Sequence, residues 1–360
     1  MFRKIFRLRN MPSYAAKVRD LVFYRTEKPA PPLRLQLELA SVCNLRCKFC
    51  VLSVLRREKK FMPYESVKKI LDESKAGYVQ LSGIGETFLH PDIARIMRYA
   101  KNGGRFVKIT TNGLLITGEI AESIVDSGLD MLDVSIDTTD PALYSRIRGA
   151  DFAKVINNIR TVYDCRNLRK SGLVIRAKHI YNAENIAHLP SDVEKLAELP
   201  FDEALFLWVR DIYEGSNQNG QRGEFLPILE KALQKARELK RPGMIEAVNI
   251  LKETLFSGTT ADKCCCEPLY APYVTVDGDL IPCCKCAMWT LQRPENMNGL
   301  KMGNVLTDSF DAVWQSPRAA GIRRAIIENR AAVNFCGTCS KDENAVFRVI
   351  NRFSRKFIYS

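Results

Sequence analysis

Three cysteines fall within eight residues in the segment Cys43-Asn44-Leu45-Arg46-Cys47-Lys48-Phe49-Cys50. Thiols at this density, kept reduced, point to metal rather than disulfides. A structural zinc normally takes four ligands in CxxC pairs, so this loop would have to borrow a fourth. In a cubane iron–sulfur cluster each iron wants its own ligand. Three cysteines hold three irons and leave the fourth open to chelate another molecule. A second set of thiols lies far along the chain: eight of the twelve cysteines occur between 264 and 339. An Asp277-Gly278 turn folds the runs 273–276 and 279–282 into a hairpin, which brings Cys266 and Cys283 together. The pair Cys336 and Cys339 returns from a distance to complete four thiolates. Cys264, Cys265, Cys284 and Cys286 remain unassigned, and a zinc ribbon is the competing reading of this cluster.

These residues need a scaffold, and the chain is long enough to build one. Its 360 residues predict one large domain and a smaller one. Apolar residues at 46% and charged residues at 26% suit a packed core and exclude wholesale disorder. No stretch reaches the roughly 18 apolar residues of a membrane span. The opening MFRKIFRLRN lacks an apolar signal region, so the expected location is cytoplasmic.

The pattern then alternates. Leu33 to Leu39 reads as a strand directly before the cysteine loop. Glu65 to Glu73 has helical spacing, followed by a strand at 78–81, a helix from Pro91 to Gly103, and a strand at 105–110. Helix 118–127, strand 131–136, helix 151–165, strand 173–179, helix 190–198 and strand 204–209 continue it. Successive βαβ units at this pace make a parallel sheet of about six strands, short of a full eight-unit barrel. The fold class is therefore α/β, a partial (β/α)6 barrel, with chemistry at the C-terminal strand ends.

The loop resembles that of the radical S-adenosylmethionine (radical SAM) superfamily, over about residues 33–215. The resemblance implies that Cys43, Cys47 and Cys50 bind a [4Fe–4S] cluster whose open iron chelates S-adenosylmethionine. Electron injection then yields methionine and a 5′-deoxyadenosyl radical. Phe49 matches the aromatic position near the adenine. Ser82-Gly83-Ile84-Gly85-Glu86 resembles the GGE motif, in which Gly83 and Gly85 let backbone approach the ligand and Glu86 holds the methionine ammonium. Asn112 lies in the Thr-Asn-Gly turn after the third strand, and Ser135 and Asp137 match an SxD position after the fourth. Arg148 falls where relatives place an arginine on the cofactor carboxylate.

The segment 263–340 resembles the SPASM/Twitch module. The matching features are Cys266-Glu267-Pro268, the Asp-Gly hairpin, Cys283, Gly303-Asn304-Val305 and the final Cys336-x-x-Cys339. Four matched ligands imply one auxiliary [4Fe–4S] cluster, the shorter Twitch form, acting as an electron carrier. The expected organisation is a basic arm at 1–32, the core at 33–215, a helical linker at 216–262, the auxiliary-cluster domain at 263–345 and a basic tail at 346–360.

An electron acceptor beside a radical site favours net oxidation. The expected reaction is oxidation of a sugar- or cyclitol-type alcohol, with modification of a peptide as the alternative. Lys178, on the fifth strand, could take the hydroxyl proton, while Arg176 and Arg210 could only orient the substrate. The resemblance also implies a reducing partner of the flavodoxin or ferredoxin type. The net charge of +13 is concentrated at the ends: residues 1–28 carry +6 and residues 346–360 carry +4, leaving +3 for the body. Aromatic residues punctuate both ends, which suits an anionic lipid surface or a phosphorylated substrate. A zinc-dependent nucleic-acid-binding protein is the reading from a different class. The near-neutral body and the lack of any recognised nucleic-acid motif weigh against it, so no nucleic-acid partner is expected.

Overall fold

The computed structural model describes residues 16, 19–20, 25–53, 55, 57–208, 225–239, 267–292 and 297–328. Leu35, Leu37 and Leu39 are buried on one face of the first strand and its extension, with Gln36 and Glu38 on the other. That strand, β1 (Arg34–Leu37), leads into the cysteine loop. Helix α1 (Tyr64–Ser74) follows, burying Val67, Ile70 and Leu71, and ends at Lys75 in the left-handed region. Strand β2 (Tyr78–Leu81), helix α2 (Ile93–Asn102), strand β3 (Phe106–Thr111), helix α3 (Gly118–Asp126) and strand β4 (Met131–Ser135) continue the alternation.

Helix α4 (Pro141–Arg148) is an element the periodicity does not predict. Its local signals are nonetheless good: Asp140 caps it by accepting from the Leu143 N–H, proline opens it, and Gly149 closes it at φ 68°. Helix α5 (Phe152–Leu168) is capped by Asp151, and strand β5 (Val174–Tyr181), helix α6 (Leu189–Glu198) and strand β6 (Glu203–Trp208) complete six βα repeats. Helix α7 (Leu226–Glu238) falls within the expected helical linker, and the rest of that linker lies outside the described residues.

The strands from β1 to β6 are all parallel and adjacent in chain order. The predicted Asp277-Gly278 hairpin forms as β7 (Tyr273–Val274) and β8 (Asp279–Ile281), preceded by helix α8 (Glu267–Tyr270). It does not stand apart. Strand β7 pairs parallel with β1, through Gln36 N–H to Pro272 O and Glu38 N–H to Val274 O, each 3.0 Å. Helices α9 (Cys284–Gln292) and α10 (Met297–Leu300), strand β9 (Gly303–Asn304), and helices α11 (Phe310–Trp314) and α12 (Pro317–Glu328) complete the described chain. One nine-stranded sheet therefore runs through both halves. Val276, Leu280, Met302, Val305, Phe310 and Trp314 share a single apolar core with the barrel.

Residues 26–30 are fastened to the C-terminal helices. Trp314 Nε1 donates to Ala30 O at 3.1 Å, and Gln315 Nε2 to Pro29 O at 2.9 Å. Arg323, fully buried, donates to the carbonyls of Thr26, Pro268 and Trp314. It also stacks 4.0 Å from the Trp314 ring centroid. Burial, with no carboxylate beside it among the described residues, pushes its pKa down to about 9.

The face of the sheet opposite Leu132, Val134, Ile175 and Ala177 carries charge. Asp133, 1% exposed, accepts from Arg176 Nε at 2.9 Å, from Arg176 Nη2 at 3.0 Å and from Lys108 Nζ at 3.1 Å. Burial raises the pKa of this carboxyl, but Lys108 and Arg176 more than reverse that and hold it at about 2, below its ordinary 3.8. The group's stabilisation is therefore complete above 3.8 and is lost as pH falls towards 2. Denaturant unfolding followed by circular dichroism checks this. The wild type is expected to lose about 2 kcal/mol more than Asp133→Asn across that interval.

Candidate active site

The cysteine loop follows β1 and is held from three directions. The Glu86 N–H donates to Val42 O at 2.7 Å, Ser41 N–H to Lys60 O at 3.0 Å, and Lys48 N–H to Ile147 O in the last turn of α4 at 2.9 Å. Cys47 is buried, and Cys43 and Cys50 are half-buried. Burial pushes the Cys43 thiol up to about 11, and it also raises Cys47 and Cys50. Buried sulfurs of this kind ionise when a cation binds them.

Donors are already aimed at them. Leu45 N–H points to Cys43 Sγ at 3.4 Å, Asn112 Nδ2 to Cys43 Sγ at 3.8 Å, and Arg148 Nη1 to Cys47 Sγ at 3.8 Å. Among the described residues no group of three His, Cys, Asp or Glu side chains closes on a single ion. One sulfur per iron, each with a hydrogen-bond donor nearby, is what a cubane cluster asks for, so the residues present fit that group.

The predicted cofactor-binding residues converge on this loop. Glu86, 3% exposed, accepts from Thr111 Oγ1 at 2.7 Å, Asn112 N–H at 2.8 Å and Phe88 N–H at 3.1 Å. Burial raises its pKa, opposed by those three donors. Its second oxygen accepts one of these bonds and retains capacity for a further donor such as an ammonium. Asp137 and Arg148 form a buried pair, with Arg148 Nε 2.6 Å and Nη2 2.5 Å from Asp137 Oδ2. Phe49 is half-buried beside Cys50, and Ser135 is half-buried in register with Lys178.

The two glycines serve neighbours within the protein. A Cβ at Gly83 would come within 2.4 Å of Glu38 Cγ, and one at Gly85 within 2.3 Å of Ala40 O and 2.5 Å of Val42 O. Both let the turn after β2 pack against the cysteine loop.

Sequence reasoning missed the residue under that turn. Glu38, fully buried, accepts from Arg57 Nη1 at 3.0 Å and Nη2 at 2.9 Å, from Ile84 N–H at 3.3 Å and from Val276 N–H at 3.0 Å. One carboxylate therefore joins the cysteine loop, the glycine turn and the C-terminal hairpin. Its available signal was an acid on the second face of a strand whose first face is leucine at 33, 35, 37 and 39. Arg57, in a run of charges, carried none.

Arg176 is buried, bound to Asp133 and 3.6 Å from Glu203. Lys178 is half-buried on the same strand face, and its side-chain amine makes no hydrogen bond or ion pair among the described residues. Burial lowers its pKa, with Asp133 opposing and Lys108 assisting. Cys284, at the start of α9, lies within electrostatic reach of it. Cys283 is buried after β8, and Cys286 N–H points to its Sγ at 3.5 Å. Arg210, Cys266, Cys336 and Cys339 lie outside the described residues, as do Cys264 and Cys265.

Comparison with known proteins agrees with this geometry. Residues 37–175 match the model of the radical SAM superfamily, and residues 264–340 match the SPASM iron–sulfur cluster-binding domain. A tungsten-containing aldehyde ferredoxin oxidoreductase cofactor-modifying protein of Pyrococcus furiosus is 25% identical over 328 residues, covering 85% of this chain and 86% of that protein. A GTP 3′,8-cyclase of Alkaliphilus metalliredigens is 26% identical over 265 residues, covering 69% and 80%. Among solved structures, Streptococcus suis SuiB bound to precursor peptide SuiA superposes with a TM-score of 0.66 at 18% identity, covering 91% of this chain and 75% of that one. The anSMEcpe structure with bound AdoMet gives 0.62 at 17% identity, covering 91% and 97%.

The fold and cluster loop define a radical-generating iron–sulfur enzyme. The chain belongs to the radical SAM superfamily and carries a C-terminal SPASM domain. Its cofactors are a [4Fe–4S] cluster at the cysteine loop, S-adenosylmethionine and an auxiliary cluster. No helix among the described residues is long and apolar enough to cross a membrane.

Proposed function

We propose that this chain oxidises a secondary alcohol of a small polyol, of the sugar or cyclitol class. The observation that carries the reading is Lys178. A half-buried amine with no partner among the described residues lies on the inner sheet face, in register with Ser135 and near Cys284. It therefore stands between the radical half and the auxiliary module.

When bound, S-adenosylmethionine and its cluster supply the species that takes a carbon-bound hydrogen atom, and the auxiliary cluster supplies the acceptor for the remaining electron. The part left to the protein is the hydroxyl proton, which the Lys178 amine takes. Burial favours the neutral, proton-accepting form of that amine, so turnover rises with pH through a value below the ordinary 10.5 of lysine. Arg176 stays charged on Asp133 and orients rather than reacts. Two relatives that match most of this chain are named for modifying a cofactor and for cyclising GTP, which supports a small-molecule substrate.

Incubation of the reduced holoenzyme with carbon-deuterated polyols tests the class. Deuterium is expected in 5′-deoxyadenosine, and its appearance only from a labelled peptide would instead assign peptide modification. Lys178→Met is expected to lower turnover about 10²-fold and to abolish the pH-dependent limb, with S-adenosylmethionine binding retained.

A further inference from the structure

We propose that Arg148 tunes the radical cluster: its guanidinium, clamped by Asp137, presents its free edge to the Cys47 sulfur and raises the reduction potential of the cluster that sulfur holds. The inference rests on the cluster itself and not on the alcohol-oxidation reading. The expected role of Arg148 is a fork on the cofactor carboxylate. In the structure the side of the fork formed by Nε and Nη2 is already taken by Asp137, at 2.6 and 2.5 Å. What remains is Nη1, 3.8 Å from Cys47 Sγ.

This placement is fixed from every side. Asp137 Oδ1 accepts from Ile180 N–H at 3.0 Å, and its carbonyl accepts from Asn185 Nδ2 at 2.7 Å. The helix that ends on Arg148 is tied to the loop through Lys48 N–H and Ile147 O. Arg148 and Asp137 are both shielded from solvent, at 7% and 0% exposure. At Cys47 the attraction of Arg148 outweighs the repulsion of Asp137. The same positive charge also reaches Cys50 and Glu86.

Reduction adds negative charge to a cluster. A cation and a hydrogen bond at a ligand sulfur favour the reduced state, and water does little to screen them here. Removing the cation must make the cluster harder to reduce, and removing its carboxylate partner must make it easier. Structural damage has no reason to move the potential in opposite directions in the two variants.

The test is a redox titration of the holoenzyme with a low-potential one-electron reductant, followed by electron paramagnetic resonance. S-adenosylmethionine and substrate are left out. The radical cluster's signal is the one missing from Cys50→Ala. Arg148→Met is expected to lower the ratio of reduced to oxidised cluster about tenfold at fixed poise, equivalent to about 59 mV for one electron. Arg148→Lys, which keeps the charge, should fall between it and the wild type. Asp137→Asn, which still accepts from Ile180 N–H, should raise the ratio. Should Arg148→Met fail to fold, the opposed shifts of Arg148→Lys and Asp137→Asn carry the test. Potentials equal to wild type in the absence of S-adenosylmethionine would overturn the proposal and return Arg148 to a role on the cofactor alone. Shifts of the same sign in the Arg148 and Asp137 variants would overturn it as well.

Discussion

Cys50→Ala is expected to bring 5′-deoxyadenosine formation down to the level seen without enzyme. Iron content should fall by about four atoms per chain, the complement of one cubane cluster. The reason is coordination number. With Cys43 and Cys47 alone, a second iron joins the open one in lacking a protein ligand, and the cubane cannot be held with one iron left over for the cofactor. The variant should still fold, since Cys50 is half-buried on a loop whose position is set by backbone hydrogen bonds from Glu86, Ser41 and Lys48. Circular dichroism should therefore match the wild type while visible absorbance drops by roughly the contribution of one cluster. Retention of full iron and cleavage of S-adenosylmethionine would show that another residue supplies the third ligand.

The second large effect concerns Glu38. Glu38→Ala leaves Arg57 charged and nearly buried, with two backbone N–H groups, of Ile84 and Val276, unpaired. Breaking a buried ion pair from one side costs about 3–5 kcal/mol, and denaturant midpoints should show a loss of that order. Arg57 retains Asp277 at 3.6 Å, which limits the damage. The double variant Glu38→Gln with Arg57→Met should recover much of it, because no uncompensated charge remains and the glutamine oxygen still accepts. A full loss in the double variant would mean that packing against Gly83, not charge, is what Glu38 supplies.

The six parallel repeats were legible because each strand and helix buries a local, periodic stripe. The cysteine spacing and the Asp277-Gly278 turn were legible for the same reason: their signals lie within a dozen residues. What escaped was non-local. The tie between Arg176 and Asp133 spans 43 residues, so no local pattern announces it. The docking of β7 on β1 has no signature in either segment. The glycines of the turn after β2 are crowded from within the protein. Their crowding neighbours, Glu38 and the carbonyls of Ala40 and Val42, come from a different strand and loop. Helix α4 is a different kind of miss, because Asp140, Pro141 and Gly149 announced it and only its short apolar stripe hid it.

The fastening of residues 26–30 to the last described helices has a consequence for biosynthesis. Trp314 lies 284 positions beyond Ala30, and at translation speeds of roughly 5–20 residues per second that interval is about 15–60 s. The early segment leaves the ribosome first and waits longest for its docking site. During that wait the segment is open to chaperones. Final closure of the molecule is a late event, made only once the chain as far as Arg323 has been synthesised.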